Sequence, residues 1–354
     1  MLQPMMKPVA RLRDVAERAG VSVSVVSRVL NSDPNLRVRE DTRQRVLRAV
    51  GELNYTHNHA ARALRLRRSG AIALLVPDVT NAIFSEIFRG VEDAAAEQDL
   101  VVLLGRSEWL DEKNNVVSRL SQQGRIDGLI IQLRDEEPSP HILDLLLPDM
   151  PTVLMHWHQR GGLSSVAIDD AEAARLAASF LIDLGHHSLG LIGGLPQTST
   201  AQAREAGFGR ALIDAGLKCQ PEWMTRLGYT PSSGREAFRR IMSATHLPTA
   251  LVVANINAAV GVLSAARDNG IEVPEQLSLV AIHDTWIAEH ISPPLTTVRM
   301  PIYELGATAA RVLIRVMDNG SKYHVLVRDP APVMAVRGSH MPFPRAGACL
   351  ISRQ

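Results

Sequence analysis

From Ala71 onward the chain alternates short apolar runs with amphipathic stretches. Strand-like runs fall at 71–76, 100–104, 128–131, 152–155, 166–168, 189–192, 251–253 and 279–282. Segments of helical period lie between them, among others at 84–97, 171–184, 204–215, 235–243 and 258–269. Such alternation predicts parallel sheets covered by helices on both faces. The stretch is longer than one lobe usually holds, so two lobes with a cleft between them are expected. Ligands of such sheets bind beyond the carboxyl ends of the strands, near helix N-termini. That rule singles out the segments around Pro77 to Asn81, His156-Trp157, Asn255 and His283-Asp284.

The first seventy residues follow another pattern. Leu12, Val15, Ala16 and Ala19 recur at helical spacing until Gly20 breaks the run. Ser22 is placed to cap a second helix, with Val25, Val26, Val29 and Leu30 as its buried stripe. A third helix over 40–53 turns Val46, Leu47, Val50 and Leu53 inward and leaves Arg39, Arg43, Arg45 and Arg48 outside. Two short helices joined by a glycine-containing turn make a helix-turn-helix. In that geometry the second helix enters a major groove and its first residues reach base edges. Val23 and Ser24 then face bases, and Arg28, one turn on, can fork onto guanine O6 and N7. Lys7, Arg11 and Arg13 would hold phosphates, which fixes register without reading sequence.

Charge sharpens this division. The 354 residues carry a formal net charge of +1, yet residues 1–70 hold 14 Lys/Arg against 6 Asp/Glu, a net of +8. The remainder has 24 basic and 31 acidic residues, a net of −7. A basic head on an acidic body suits a chain whose one end meets a polyanion. Apolar residues make up 46% and charged residues 21%, enough for a core and against wholesale disorder. No apolar run is long enough for a membrane-spanning helix, and residues 1–8 lack the pattern of a secretory signal. A cytoplasmic protein is expected, with no membrane association. Cys219 and Cys349, the two cysteines, have no metal-ligand spacing.

The head carries a denser signature. Asp14-Val15-Ala16, Ala19-Gly20-Val21-Ser22 and Val26-Ser27-Arg28-Val29-Leu30-Asn31 closely resemble the lactose-repressor (LacI) family of transcription regulators. The likeness continues through Thr42-Arg43, Val46, Leu53-Asn54-Tyr55, Asn58, Ala60-Ala61-Arg62 and Leu64. Where that family usually caps helices one and three with Thr and Ser, this chain has Arg11 and Arg39. The resemblance implies a DNA-binding head at 8–56, contacting duplex through Ser22, Val23, Ser24, Ser27, Arg28 and Asn31. It implies a hinge helix and linker at 57–69, contacting duplex through Asn58, Ala61 and Leu64. Leu64 would be the wedge pushed between base pairs in the minor groove. Alone, such a segment is marginal as a helix, since isolated helices below about 12–15 residues are.

The body resembles the same family's effector domain, with the two-lobed α/β fold of type I periplasmic sugar-binding proteins. Asp127-Gly128-Leu129-Ile130, Leu184-Gly185-His186, Val273-Pro274 and Pro294 to Val298 carry that likeness, and Arg337-Gly338-Ser339 matches a frequent finish. It implies an effector-binding and dimerisation domain at 70–338, followed by a loose tail at 339–354. Phe84, Arg204 and Asn255 sit where the family places effector contacts, and Tyr229 where an aromatic often stacks on the ligand. His156 and His283 stand where the family often has Asp. Carboxylates accept hydrogen bonds from sugar hydroxyls, whereas imidazoles beside Arg204 make the pocket neutral to cationic. An effector bearing a carboxylate or phosphate is therefore one expectation; histidines that pack structurally or bind neutral hydroxyls are the other.

The function expected is a homodimeric repressor on double-stranded palindromic operator DNA, tuned by a small sugar, sugar acid or sugar phosphate. No cofactor, metal site or catalytic residue is expected. A periplasmic solute receptor would share the lobes but has no use for residues 12–31. An α/β enzyme finds little support: Gly193-Gly194 lacks the spacing of a phosphate loop, and no nucleophile elbow is present.

Overall fold

The computed structural model describes residues 10–30, 33, 35–55, 68–110, 116–133, 150–156 and 162–343. The chain divides into two units, one ending at Ser69 and one beginning at Gly70.

The first unit holds α1 (Leu12–Ala19), α2 (Val23–Leu30) and α3 (Glu40–Glu52). Their apolar stripes meet in one small core of Val15, Ala16, Ala19, Val26, Val29, Val46 and Ala49. Gly20 takes φ 66°, where a side chain is strained, and ends α1 by returning its N–H to the carbonyls of Ala16 and Glu17. Ser22 Oγ accepts the Val25 N–H at 3.3 Å, the cap expected of it. Arg11 and Arg39 supply no side-chain cap. At α1 the Asp14 carboxylate compensates in part, accepting the Arg11 N–H at 2.7 Å. Two side chains depart from expectation. Leu47 is 46% exposed, because the inward row of α3 runs through Val46, Ala49, Val50 and Leu53. Arg45 donates from Nη1 to the Ala19 carbonyl at 3.2 Å, closing the C-terminus of α1.

The second unit contains two six-stranded sheets. The first comprises β1 (Ala71–Val76), β2 (Val101–Arg106), β3 (Gly128–Ile131), β4 (Thr152–Met155), β5 (Ser164–Ile168) and β11 (His324–Val327). Its order is β11-β5-β4-β3-β1-β2, parallel throughout. The second comprises β6 (Leu189–Gly193), β7 (Met224–Arg226), β8 (Ala250–Val253), β9 (Ser278–Ile282), β10 (Thr296–Arg299) and β12 (Val333–Ala335). Its order is β12-β10-β9-β8-β6-β7, with only β12 antiparallel to its neighbour. Central strands such as β3, β4 and β8 are buried at every position, which explains their unbroken apolar text.

Eight helices cover the sheets among the described residues: α4 (Ile83–Ala96), α5 (Val116–Gln122), α6 (Asp170–Asp183), α7 (Ser199–Asp214), α8 (Pro231–Met242), α9 (Ile256–Asp268), α10 (Trp286–His290) and α11 (Ile302–Asn319). α11 packs on α4 and on β3, β4 and β5, whereas α6 packs on α7 and against β9. The chain thus passes between lobes at β5–α6, again at β10–α11, and again at β11–β12.

The expectation of a loose tail from residue 339 is corrected by the structure. Ser339 is fully buried, and its Oγ accepts the Thr296 N–H at 2.8 Å and donates to the Leu279 carbonyl at 2.6 Å. The Met341 carbonyl lies 3.0 Å from His186 Nε2, and the Phe343 N–H donates to the Leu184 carbonyl. Polar backbone beside β9 and β10 recruits this segment to satisfy its hydrogen bonds. Residues 344–354 lie outside the described residues.

Candidate functional site

In the head, the first turn of α2 presents Val23, 43% exposed, and Ser24, also exposed. Ser27 is half-buried, and Arg28 is exposed with its Nε 3.7 Å from Asp33 Oδ2. Ser22 is exposed as well; its Oγ accepts the Val25 N–H in the cap of α2, and its hydroxyl hydrogen can still be donated outward. Asn31, Asn58, Ala61 and Leu64 lie outside the described residues.

In the second unit a cavity of about 550 Å³ opens between the lobes. Its wall is made by strand ends and helix starts. β1 delivers Pro77, β4 delivers His156, β8 leads to Asn255 and β9 to His283, while α4, α7 and α9 contribute Phe84, Arg204 and Asn257. All six residues expected to meet an effector (Phe84, His156, Arg204, Tyr229, Asn255 and His283) line this one cavity. Thr200, Thr230, Gln132, Trp286 and Ile287 line it too, unforeseen in the sequence.

His156 and His283 occupy matching places, each immediately after a strand of its own lobe, at φ 56° and 70°. Few side chains tolerate this left-handed region; His, Asn and Asp are the enriched exceptions. Both imidazoles are buried.

Arg204, 3% exposed, is held on three sides. Its Nε and Nη2 donate to Asp170 Oδ1 at 2.9 and 2.6 Å, Nη1 donates to the Ala254 carbonyl, and Nη2 lies 3.1 Å from His283 Nε2. Its guanidinium also stands 5.7 Å over the Tyr229 ring. Asp170 is a further residue that sequence reasoning missed, behind the cavity wall. It follows Asp169, whose Oδ1 caps α6 by accepting the Glu172 N–H, and the doublet looks like an ordinary helix start. Burial alone would raise the Asp170 pKa, but the Arg204 guanidinium and the neighbouring histidines hold it well below the usual carboxylate range. The pocket is therefore not cationic at Arg204, because a buried carboxylate cancels the charge.

Burial, with Arg204 beside it, pushes the His283 pKa well below the ordinary 6.5, so the ring is neutral. His283 Nδ1, both His156 nitrogens and Gln132 Oε1 have no hydrogen-bond partner among the described residues. His156 Nδ1 stands 3.7 Å from Asp170 Oδ2, too far for a hydrogen bond. Ser199 Oγ donates to the His156 carbonyl at 2.7 Å, tying the start of α7 to the end of β4 across the lobes.

Two other candidates turn out structural in part. Asn255 accepts the Ala258 N–H on Oδ1 and donates to the Tyr229 carbonyl from Nδ2, so its amide caps α9 and anchors the Tyr229 backbone. Asp284 lies outside the cavity wall and binds Thr297, Arg299 and Arg337. Gly194 is explained by Tyr229: a Cβ there would stand 2.2 Å from the ring, whose hydroxyl lies 2.9 Å from Thr200 Oγ1.

Comparison with known proteins follows this division. Residues 11–58 match the profile of bacterial regulatory proteins of the lacI family, and residues 178–340 match a periplasmic binding protein-like domain. The chain is 35% identical over 313 residues to the HTH-type transcriptional regulator RegA of Clostridium saccharobutylicum, covering 87% of this chain and 92% of that one. It is 31% identical to the HTH-type transcriptional repressor PurR of Vibrio campbellii, covering 92% and 97%. Among solved structures, the lac repressor dimer bound to operator and the anti-inducer ONPF superposes with a TM-score of 0.78 at 26% identity, covering 94% of this chain and 99% of that one.

Proposed function

The chain belongs to the LacI family of DNA-binding transcriptional regulators, and on that premise we propose that it is a homodimeric repressor controlled by a small sugar-like effector bound between its lobes. Two heads would set two recognition helices on a two-fold symmetric operator, with half-site spacing fixed by dimer geometry. Val23, Ser24, Ser27 and Arg28 would face the major groove and Asn31 the groove edge. The segment 57–69, with Asn58, Ala61 and Leu64, would order as a hinge helix in the minor groove. A duplex target makes the cytoplasm the place of action.

The observation that supports the effector role most is the cavity itself, which gathers Phe84, His156, Arg204, Tyr229, Asn255 and His283 from both lobes. A ligand there touches both lobes at once, so it can favour one closure state over another, and only such a preference can shift DNA binding. The lac repressor structure, a dimer on operator, supports the same assembly here. The test is to select bound duplexes from a random pool, then titrate sugars against the selected complex. Effector-dependent change in occupancy of a palindromic site is expected; occupancy indifferent to every sugar would remove the effector role.

A further inference from the structure

The loop after the recognition helix carries a carboxylate aimed at the arginine of that helix. The Asp33 N–H donates to the Arg28 carbonyl at 3.1 Å, which folds the chain back over the end of α2. The turn continues to Leu36, whose N–H donates to the Asp33 carbonyl at 3.0 Å and whose side chain packs on the core of the head. Asp33 Oδ1 accepts the Asn35 N–H at 2.9 Å, an Asx turn that fixes the carboxylate. Oδ2 is left over, and it stands 3.7 Å from Arg28 Nε.

This contact adds little to the stability of the free head, because the Arg28 side chain is 58% exposed and exposed ion pairs are weak. Its consequence is for the bound state. A long guanidinium side chain gives up rotamer entropy when it is confined to one geometry. Asp33 lies on the Nε side, so it narrows the range of the guanidinium yet leaves Nη1 and Nη2 to fork onto guanine O6 and N7. The attraction strengthens as the groove excludes water. The same carboxylate repels phosphates, which weakens binding to every duplex alike.

We propose that Asp33 is a positioning residue, holding the Arg28 guanidinium for end-on contact with one guanine and sharpening discrimination at that base pair. This deepens the DNA-binding reading and rests on Arg28 facing a base.

The test is competition binding of the full chain to its selected palindrome, to single-base variants of it and to a scrambled duplex. Arg28→Ala identifies the base pair that Arg28 reads. Asp33→Asn keeps Oδ1 for the Asn35 N–H, and so keeps the turn, but its Nδ2 cannot accept from Arg28. Discrimination at that base pair should fall about three- to tenfold in Asp33→Asn and equally in Asp33→Ala, while affinity for the scrambled duplex rises. In an Arg28→Ala background, Asp33→Asn should change discrimination no further. Thermal unfolding of each variant establishes that it folds. Wild-type discrimination in Asp33→Asn with a loss in Asp33→Ala would assign Asp33 to the turn alone. A uniform shift across all duplexes would assign it to charge alone. Either result overturns the inference, as does a loss that persists undiminished without Arg28. Selectivity unchanged in Arg28→Ala sinks base reading by Arg28 and this inference with it. A loss in Arg28→Ala that Asp33→Asn does not share sinks this inference only.

Discussion

Asp170 takes two hydrogen bonds from one guanidinium on a single oxygen, at 2.9 Å from Arg204 Nε and 2.6 Å from Nη2, with both side chains almost wholly buried. The residues come from different helices, and the pair sits where the chain first crosses between lobes. Breaking such a pair leaves a buried charge without its counter-ion, which costs about 3–5 kcal/mol. Asp170→Ala is therefore expected to destabilise the second unit by that amount. All four tryptophans (109, 157, 223 and 286) lie in this unit, so denaturant unfolding followed by tryptophan fluorescence reads it alone. A loss near zero would mean Arg204 finds another partner.

Acid should weaken the fold through its histidines. His283 and His186 are both held below the ordinary 6.5 by burial. The unfolded chain then binds protons near pH 6.5 that the folded chain does not. Their stabilisation is complete above that pH and is lost progressively as pH falls below it. Asp170 acts in a lower window, losing its contribution only as pH drops beneath the normal carboxylate range. The urea midpoint should fall between about pH 7.5 and pH 5.5, and His283→Asn should flatten the dependence. An identical slope in the variant would show that His283 takes no part.

Removal of the Arg28 side chain should cost about 1–3 kcal/mol of discrimination at one base pair while leaving phosphate contacts in place. Competition binding against single-base operator variants measures it. Unchanged selectivity would contradict base readout by Arg28.

Asn255 offers a graded series. Asn255→Asp keeps the acceptor that caps α9 but loses the donor to the Tyr229 carbonyl; Asn255→Ala loses both. The cap is worth about 1 kcal/mol and the second hydrogen bond about 0.5–1.5 kcal/mol. Unfolding should rank wild type above both variants, with Asp penalised further by a buried carboxylate oxygen facing the Tyr229 carbonyl. Equal stability of all three would return Asn255 to a purely ligand-facing role.

Much of the architecture was legible in the residues. The head announced itself because a 3.6-residue stripe, a left-handed Gly20 and a capping Ser22 coincide within a few positions. Strands buried on both faces left unbroken apolar text. What escaped is what depends on distant partners. β7 spans only Met224–Arg226 and carries no pattern of its own, and β11 joins the first sheet only after the chain has built the second. Leu47 lies a few tens of degrees off a stripe that Ala49 completes, and hydrophobicity alone chose the larger residue. Arg204 seemed a free cation because Asp170, 34 residues away, was hidden in a capping doublet. The tail seemed loose because Ser339 to Phe343 are bound mainly through backbone and small polar groups rather than an apolar stripe.

The central claim is that the basic head grips one duplex sequence and that the cleft tunes the grip. It is tested most directly by the affinity of the full chain for its selected palindrome and for a scrambled duplex of equal length, across a salt series. A preference of about 10³-fold or more for the palindrome is expected at physiological salt, with affinity falling steeply as salt rises. Equal affinity for both duplexes would contradict the account.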